Sequence, residues 1–348
     1  MDHPQLEPTY ATPSAEAVAS LAAAQFGLPS PIRCILLNRG FNDCFELTAQ
    51  DGKRYVLRVS GRRLRGVADV RSETEFLRHL VRKGVLANAP TAAIDGSFWS
   101  CATLPQGECP IVLFERLEGR APDPQSLADA GAHGGTLARI HNAAASFTQD
   151  APCRYRLDLE HLLHRPLRAI LALDGLSETI RTELSGLAQR LGDEVAARGD
   201  LEETYCHGDC HGYNARIVTT GPRAGEAAFF DFDDGGPGYL AYDLAVFLWA
   251  CVSFGRREHA KWRAFAAAYR AARPGSERSL EAAHLFVPIR HIWMLGEYAA
   301  RTLEWGSQSA SPDWIGRQLA FLGDWETKAI HPGLLRGEPA RPLTSRLS

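Results

Sequence analysis

His207-Gly208-Asp209-Cys210-His211-Gly212-Tyr213-Asn214 is one half of the decisive stretch; the other is Phe229-Phe230-Asp231-Phe232-Asp233-Asp234, whose first acid comes seventeen residues past Asn214. A carboxylate, an amide five residues on and an acid that ends an apolar run are thereby gathered on one strand–loop–strand unit. Phosphoryl transfer asks for such a set: a carboxylate to orient the attacking hydroxyl, and oxygen ligands for Mg²⁺. The same segment holds Cys206 and Cys210 with two histidines. Those cysteines are four apart and no second ligand pair follows, so the spacing is not that of a zinc knuckle or a haem attachment site.

Outward from this β patch (about 204–232, turning at Thr219–Gly225), the periodicity predicts helices near 126–147, 158–172, 177–198, 240–254, 257–272, 279–303 and 312–331. Upstream the pattern changes. A helix from Ser14 to Phe26 is followed by β-branched runs at Ile32–Asn38, Cys44–Ala49 and Arg54–Val59, with Asp51-Gly52 marking a hairpin. Val67–Lys83 reads as a helix, Ala92–Ile94 and Pro110–Leu117 as strands, with a hairpin around Phe98–Thr103. The expected organisation is a disordered tail (1–13), a β-rich lobe (14–119), a helical lobe (120–331) and a second tail (332–348).

Composition narrows the function classes. The chain has 348 residues, 45% hydrophobic and 23% charged, with a net charge of −3 and no basic block, which argues against nucleic acid or an anionic membrane as partner. No basic stretch followed by an apolar run opens the chain, and the run Leu240–Phe254 is shorter than a membrane span and carries Asp243. Eight scattered cysteines, most within apolar runs, fit reduced thiols in a cytoplasmic protein.

A kinase catalytic loop places its base five residues before a magnesium-binding amide, and a strand-borne Asp supplies the second metal ligand. At these residues the chain resembles the aminoglycoside phosphotransferase and choline kinase superfamily, whose motif His-Gly-Asp-x-His-x-x-Asn matches residues 207–214 without a gap. Asp231-Phe-Asp-Asp234, the Gly-Pro that follows and Tyr242-Asp243-Leu244-Ala245 are similar to this family too. The Asp-x-Asp-Asp form and Arg290-His-Ile-Trp-Met-Leu-Gly296 resemble the branch of type II homoserine kinases, hydroxylysine kinases and a stress-response Ser/Thr kinase. The resemblance covers about residues 14–330. It implies an α+β, protein-kinase-like bilobal fold: a β-rich N-lobe with one regulatory-type helix and a larger α-rich C-lobe. It also implies ATP and Mg²⁺ as cofactors, Asp209 as catalytic base, and Asn214 and Asp231 as metal ligands. Asp233 becomes a further metal or water-shell ligand, Asp234 and Asp243 braces of the loop, and His207 and His211 structural.

The N-lobe supplies the nucleotide half. Leu37–Asp43 joins two strands where a phosphate-covering loop belongs, which nominates Gly40 and Asn42. Arg58 stands where the family has a phosphate-contacting lysine, and a planar fork is not a neutral replacement for an ammonium. Glu73 sits where that cation's acidic partner belongs, and the strand through Glu115 to Leu117 would bond the adenine. Arg58 as a surface arginine at a strand end stays open.

Asp243 comes only twelve positions after Asp231, too few for a peptide-holding activation segment, which favours a small hydroxyl-bearing acceptor. Arg290, Trp293, Glu297 and Arg301 share one face of a predicted helix. They are either a clamp for a zwitterion or an intrahelical pair with tryptophans packed inward. The expected activity is a small-molecule hydroxyl kinase acting on an amino acid or amino alcohol. An antibiotic phosphotransferase, a protein Ser/Thr kinase and a nucleotide-binding pseudokinase are the alternatives. Oligomeric state is not readable.

Overall fold

A computed structural model describes residues 6–61, 65–149, 153 and 155–330. Helix α1 (Ala15–Phe26) begins where Ser14 accepts the Ala17 N–H at 3.2 Å and ends at Gly27, in the left-handed region at φ 67°. Five strands follow in one antiparallel sheet with a helix inserted: β1 (Arg33–Arg39), β2 (Asn42–Thr48), β3 (Arg54–Ser60), helix α2 (Val67–Arg82), β4 (Ser100–Leu104) and β5 (Gly107–Glu115). The spatial order is β1-β2-β3-β5-β4. Alternating residues Phe45, Leu47, Leu57, Val59, Ile111 and Leu113 line one face, and Val18, Ala22 and Phe26 of α1 cover it.

Two expectations need correction here. Ala92–Ile94 is not a strand: its backbone bonds go to Ser97 in a turn and to Gln25 at the end of α1, and the partner of β5 is residues 100–104. The expected tail carries no regular element over residues 6–13, but Ala11 exchanges two hydrogen bonds with the Gln106 side chain, so this stretch lies against the sheet. Residues 1–5 and the expected tail 332–348 lie outside the described residues.

The helical lobe runs through α3 (Leu127–Ala144), a π-turn (Glu160–His164) leading into α4 (Arg165–Leu171), and α5 (Glu178–Ala197). Then come β6 (Glu203–Cys206), β7 (Ala215–Ile217), β8 (Ala227–Phe229) and β9 (Gly236–Tyr239), followed by α6 (Leu240–Val252), α7 (His259–Ala272), α8 (Glu277–Ala299), short α9 (Thr302–Trp305) and α10 (Pro312–Ile330). The β patch is two ribbons, β6 with β9 and β7 with β8. β9 escapes sequence reading because Gly-Pro-Gly-Tyr has no strand signature.

Helix α2 belongs to both lobes. Glu73 faces the sheet, while Phe76, Leu77 and Leu80 enter the C-lobe core, where Phe76 stacks on Tyr205 of β6 at 4.1 Å. Among the described residues no helix is long and apolar enough to cross a membrane.

Candidate active site

The loop from β6 to β7 carries the 207–214 motif, and its shape is fixed from below. Asp243, at the start of α6, accepts the His207 and Gly208 N–H groups at 2.6 and 2.7 Å, and His141 from α3 at 3.0 Å. Burial alone would push the Asp243 carboxyl up, but the His141 bond and the loop N–H groups hold it below its usual value. Gly208 adopts φ 85°, and a Cβ there would sit 1.9 Å from the Asp234 carbonyl oxygen, so only glycine lets the two acidic segments approach. His207 reaches the Phe230 carbonyl at 3.1 Å, and His133 of α3 meets the Cys210 carbonyl at 2.8 Å.

Asp209 emerges from this frame. One carboxylate oxygen meets Asn214 Nδ2 at 3.2 Å and His211 at 3.4 Å, and the other takes a short hydrogen bond from Arg290. Burial pushes the carboxyl up, but His211 and Arg290 outweigh it and hold Asp209 well below the usual carboxylate range. Asp231 follows β8 with φ 67°, a left-handed backbone that non-glycine residues seldom adopt outside functional sites. Its carboxyl is raised well above the usual range, by burial first and by the neighbouring Asp233 next.

Between the lobes lies a cleft of about 270 Å³. Arg58, Glu115 and Leu117 from the N-lobe and Asn214 and Asp231 from the C-lobe all line it. Arg58 does not lie on the surface: it is 2% exposed and forks onto Glu73 with bonds of 2.8 and 2.7 Å. Apolar Leu37, Val56 and Phe114 complete the upper wall, as a base-binding slot requires.

Gly40, Asn42, Glu73 and Asp233 do not line this cleft. Asn42 instead donates to Asp233 at 2.5 Å and accepts the Gly61 N–H at 3.3 Å, tying the β1–β2 loop to the acidic strand end. Asn214 and Asp231 fit a hard divalent cation by their chemistry: oxygen donors, one of them a half-buried carboxylate crowded by other acids and relieved by positive charge.

The four residues of the predicted acceptor face separate. Arg290 reaches Asp209. Trp293 is 3% exposed and bonded to His161 at 3.2 Å. Glu297 and Arg301 pair at 2.8 Å, as an intrahelical pair would, but buried rather than solvated, and Arg165 also holds Glu297. The Arg301 guanidinium lies 4.5 Å from the Phe41 ring at the tip of the β1–β2 loop, and Phe41 also packs on Trp305.

Sequence reasoning missed His133, His141 and the Arg290 contact. The two histidines sit eight residues apart, two turns of one helix face, and that spacing was the available signal. Burial lowers His133 to about 3 and, on α8, His291 to about 4. Both rings are therefore neutral in the folded chain and protonate from 6.5 downward in the unfolded one. Stability is full above pH 6.5 and falls as the pH drops toward 4. Between pH 7 and 5 each ring should cost about 2 kcal/mol, to be read as a lower urea midpoint at pH 5. Equal midpoints would refute the neutral-ring assignment.

Fold and cleft together define a two-lobed phosphotransferase acting on a hydroxyl. The chain belongs to the phosphotransferase enzyme family (APH), whose family model matches residues 36–279. It is 36% identical to an uncharacterised protein of Deinococcus radiodurans over 316 residues, 90% of each chain. It is 29% identical over 245 residues to a homoserine kinase of Bradyrhizobium sp., 69% of this chain and 71% of that one. Among solved structures it is similar to the amicoumacin kinase hAmiN in complex with AMP-PNP, Ca²⁺ and Ami (18% identity, TM-score 0.71, 94% and 95% of the two chains). A microcompartment-associated aminopropanol kinase is similar at 23% identity and TM-score 0.69, covering 88% of this chain and 98% of that one. The protein is thus a small-molecule phosphotransferase.

Proposed function

We propose that this enzyme transfers the γ-phosphoryl group of Mg-ATP to a hydroxyl of an amino acid or amino alcohol of the homoserine kind. The observation that carries the reading is the cleft lined by Arg58, Asn214 and Asp231, with Asp209, which does not itself line it, hydrogen-bonded to Asn214. The Glu115 and Arg116 N–H groups already bond Ala89 and Arg54, so the adenine edge would meet the backbone at Leu117. Arg58 would contact the α- and β-phosphates. A divalent cation held by Asn214 and Asp231 would neutralise phosphate charge, with Asp233 behind them through Asn42. Asp209 orients the acceptor hydroxyl and takes its proton as the oxygen attacks the γ-phosphorus and ADP leaves.

The acceptor class rests on the similar proteins. A homoserine kinase and an aminopropanol kinase are both among the similar proteins. The test is ADP release from Mg-ATP with homoserine, threonine, serine, hydroxylysine, choline, ethanolamine and aminoglycosides, with Asp209→Asn as the blank. Stimulation by an amino acid or amino alcohol, absent in the blank, is the expected result. Stimulation by aminoglycosides alone, or phosphate transfer only to proteins of a lysate, would overturn the acceptor class.

A further inference from the structure

Arg290 is a buried cation on α8, and its ion pair among the described residues is with the carboxylate of Asp209. Its surroundings explain why it cannot turn elsewhere. The second terminal nitrogen donates to the Tyr242 hydroxyl at 3.1 Å. The guanidinium lies 4.3 Å from the Trp293 ring and 5.2 Å from that of Trp249. Stacking on aromatic faces is a mode of binding open to arginine's plane and closed to lysine's point charge.

Those two rings are themselves anchored. Trp293 donates to His161 at 3.2 Å, and Trp249 donates to His291 at 3.0 Å. His291 in turn meets Gln318 of α10 at 3.0 Å. A chain of fixed groups therefore runs from the last helix through His291, Trp249 and Arg290 to Asp209. It bonds the carboxylate oxygen other than the one that Asn214 bonds.

The lone pairs of Asp209 give this grip a function. An ionised carboxylate offers about four acceptor positions. Asn214 takes one on one oxygen, with His211 3.4 Å from that same oxygen, and Arg290 takes one on the other, which leaves the second position of the Arg290-bonded oxygen for the acceptor hydroxyl. We propose that Arg290 is the positioning residue of the phosphoryl transfer: clamped between two tryptophans, it fixes the Asp209 carboxylate so that its remaining lone pair is aimed at the acceptor oxygen. The inference rests on the assignment of Asp209 as the base. It reassigns Arg290 from part of a clamp for a zwitterion to the residue that holds the catalytic group.

The experiment compares Arg290→Ala, Arg290→Lys and Asp209→Asn with the unmodified enzyme, using the best acceptor of the panel and, in parallel, hydrolysis of Mg-ATP without acceptor. Misplacing a reacting group by about 1 Å costs roughly 10²-fold in rate. Arg290→Ala should lose about that factor in kcat with the KM of both substrates unchanged. Millimolar methylguanidinium, which fits the slot between the two rings, should restore kcat saturably. Arg290→Lys should recover only part, because its ammonium cannot fill the planar slot. Thermal unfolding and AMP-PNP affinity of each variant report whether the fold is kept. A variant that binds AMP-PNP normally yet keeps full kcat overturns the proposal. So does a rise in acceptor KM at constant kcat, which would make Arg290 an acceptor ligand, or a loss of kcat that neither methylguanidinium nor lysine repairs. Turnover in the unmodified enzyme that survives Asp209→Asn overturns the base assignment itself, and is told apart from the other outcomes by that variant alone.

Discussion

Asp209→Asn should lower turnover by about 10²–10⁴-fold while Mg-AMP-PNP binds as before. The amide matches the carboxylate in shape, but its single oxygen can accept from only one of Asn214 and Arg290, which bond different oxygens of Asp209. It cannot take the proton released as the acceptor oxygen attacks. It also removes the carboxylate paired with the buried Arg290, so a modest loss of stability should accompany the loss of rate. Nucleotide affinity is the internal control, since Arg58, Asn214 and Asp231 stay in the cleft. Near-full turnover in a folded, nucleotide-binding variant would refute the role given to Asp209.

Arg58→Met has the second largest expected effect, and it acts on stability and binding together. Arg58 and Glu73 are 2% and 1% exposed and joined by two parallel hydrogen bonds. Removing one partner of such a pair costs about 3–5 kcal/mol, because the remaining charge is stranded. Arg65, 3.8 Å from Glu73, should keep the loss toward the lower end. Replacing both residues, Arg58→Met with Glu73→Leu, should restore most of the urea midpoint, since an apolar pair of similar volume is often neutral. AMP-PNP affinity should stay low in the double variant if Arg58 contacts the phosphates. Recovery of stability and affinity together would limit the pair to a structural role.

What the sequence made legible was local or positional. The 207–214 spacing is set by one loop, and its residues do converge with Asp231. The Arg58–Glu73 pair was readable because the family resemblance puts a phosphate-contacting cation and its acidic partner at those two positions. The contact of Arg290 with Asp209 spans 81 positions and depends on how α8 crosses beneath the catalytic loop, which no periodicity records. The acceptor-face reading failed to anticipate burial: spacing put Glu297 and Arg301 on one face but could not tell that Phe41 and Arg165 would cover it. Ala92–Ile94 looked like a strand from three apolar residues, yet backbone partners decide a ladder, and those lay in a turn and in α1.

Helix α2 has a consequence for how such an enzyme is controlled. Phe76, Leu77 and Leu80 are fully buried in the C-lobe core, while Glu73 on the same helix holds the cation of the nucleotide cleft. Swinging the helix outward would expose three side chains at about 1.5–3 kcal/mol each. A displaced state costing roughly 5 kcal/mol or more would be found in fewer than about one molecule in a thousand. The cleft is therefore assembled before any ligand arrives, and no partner has to push the helix home.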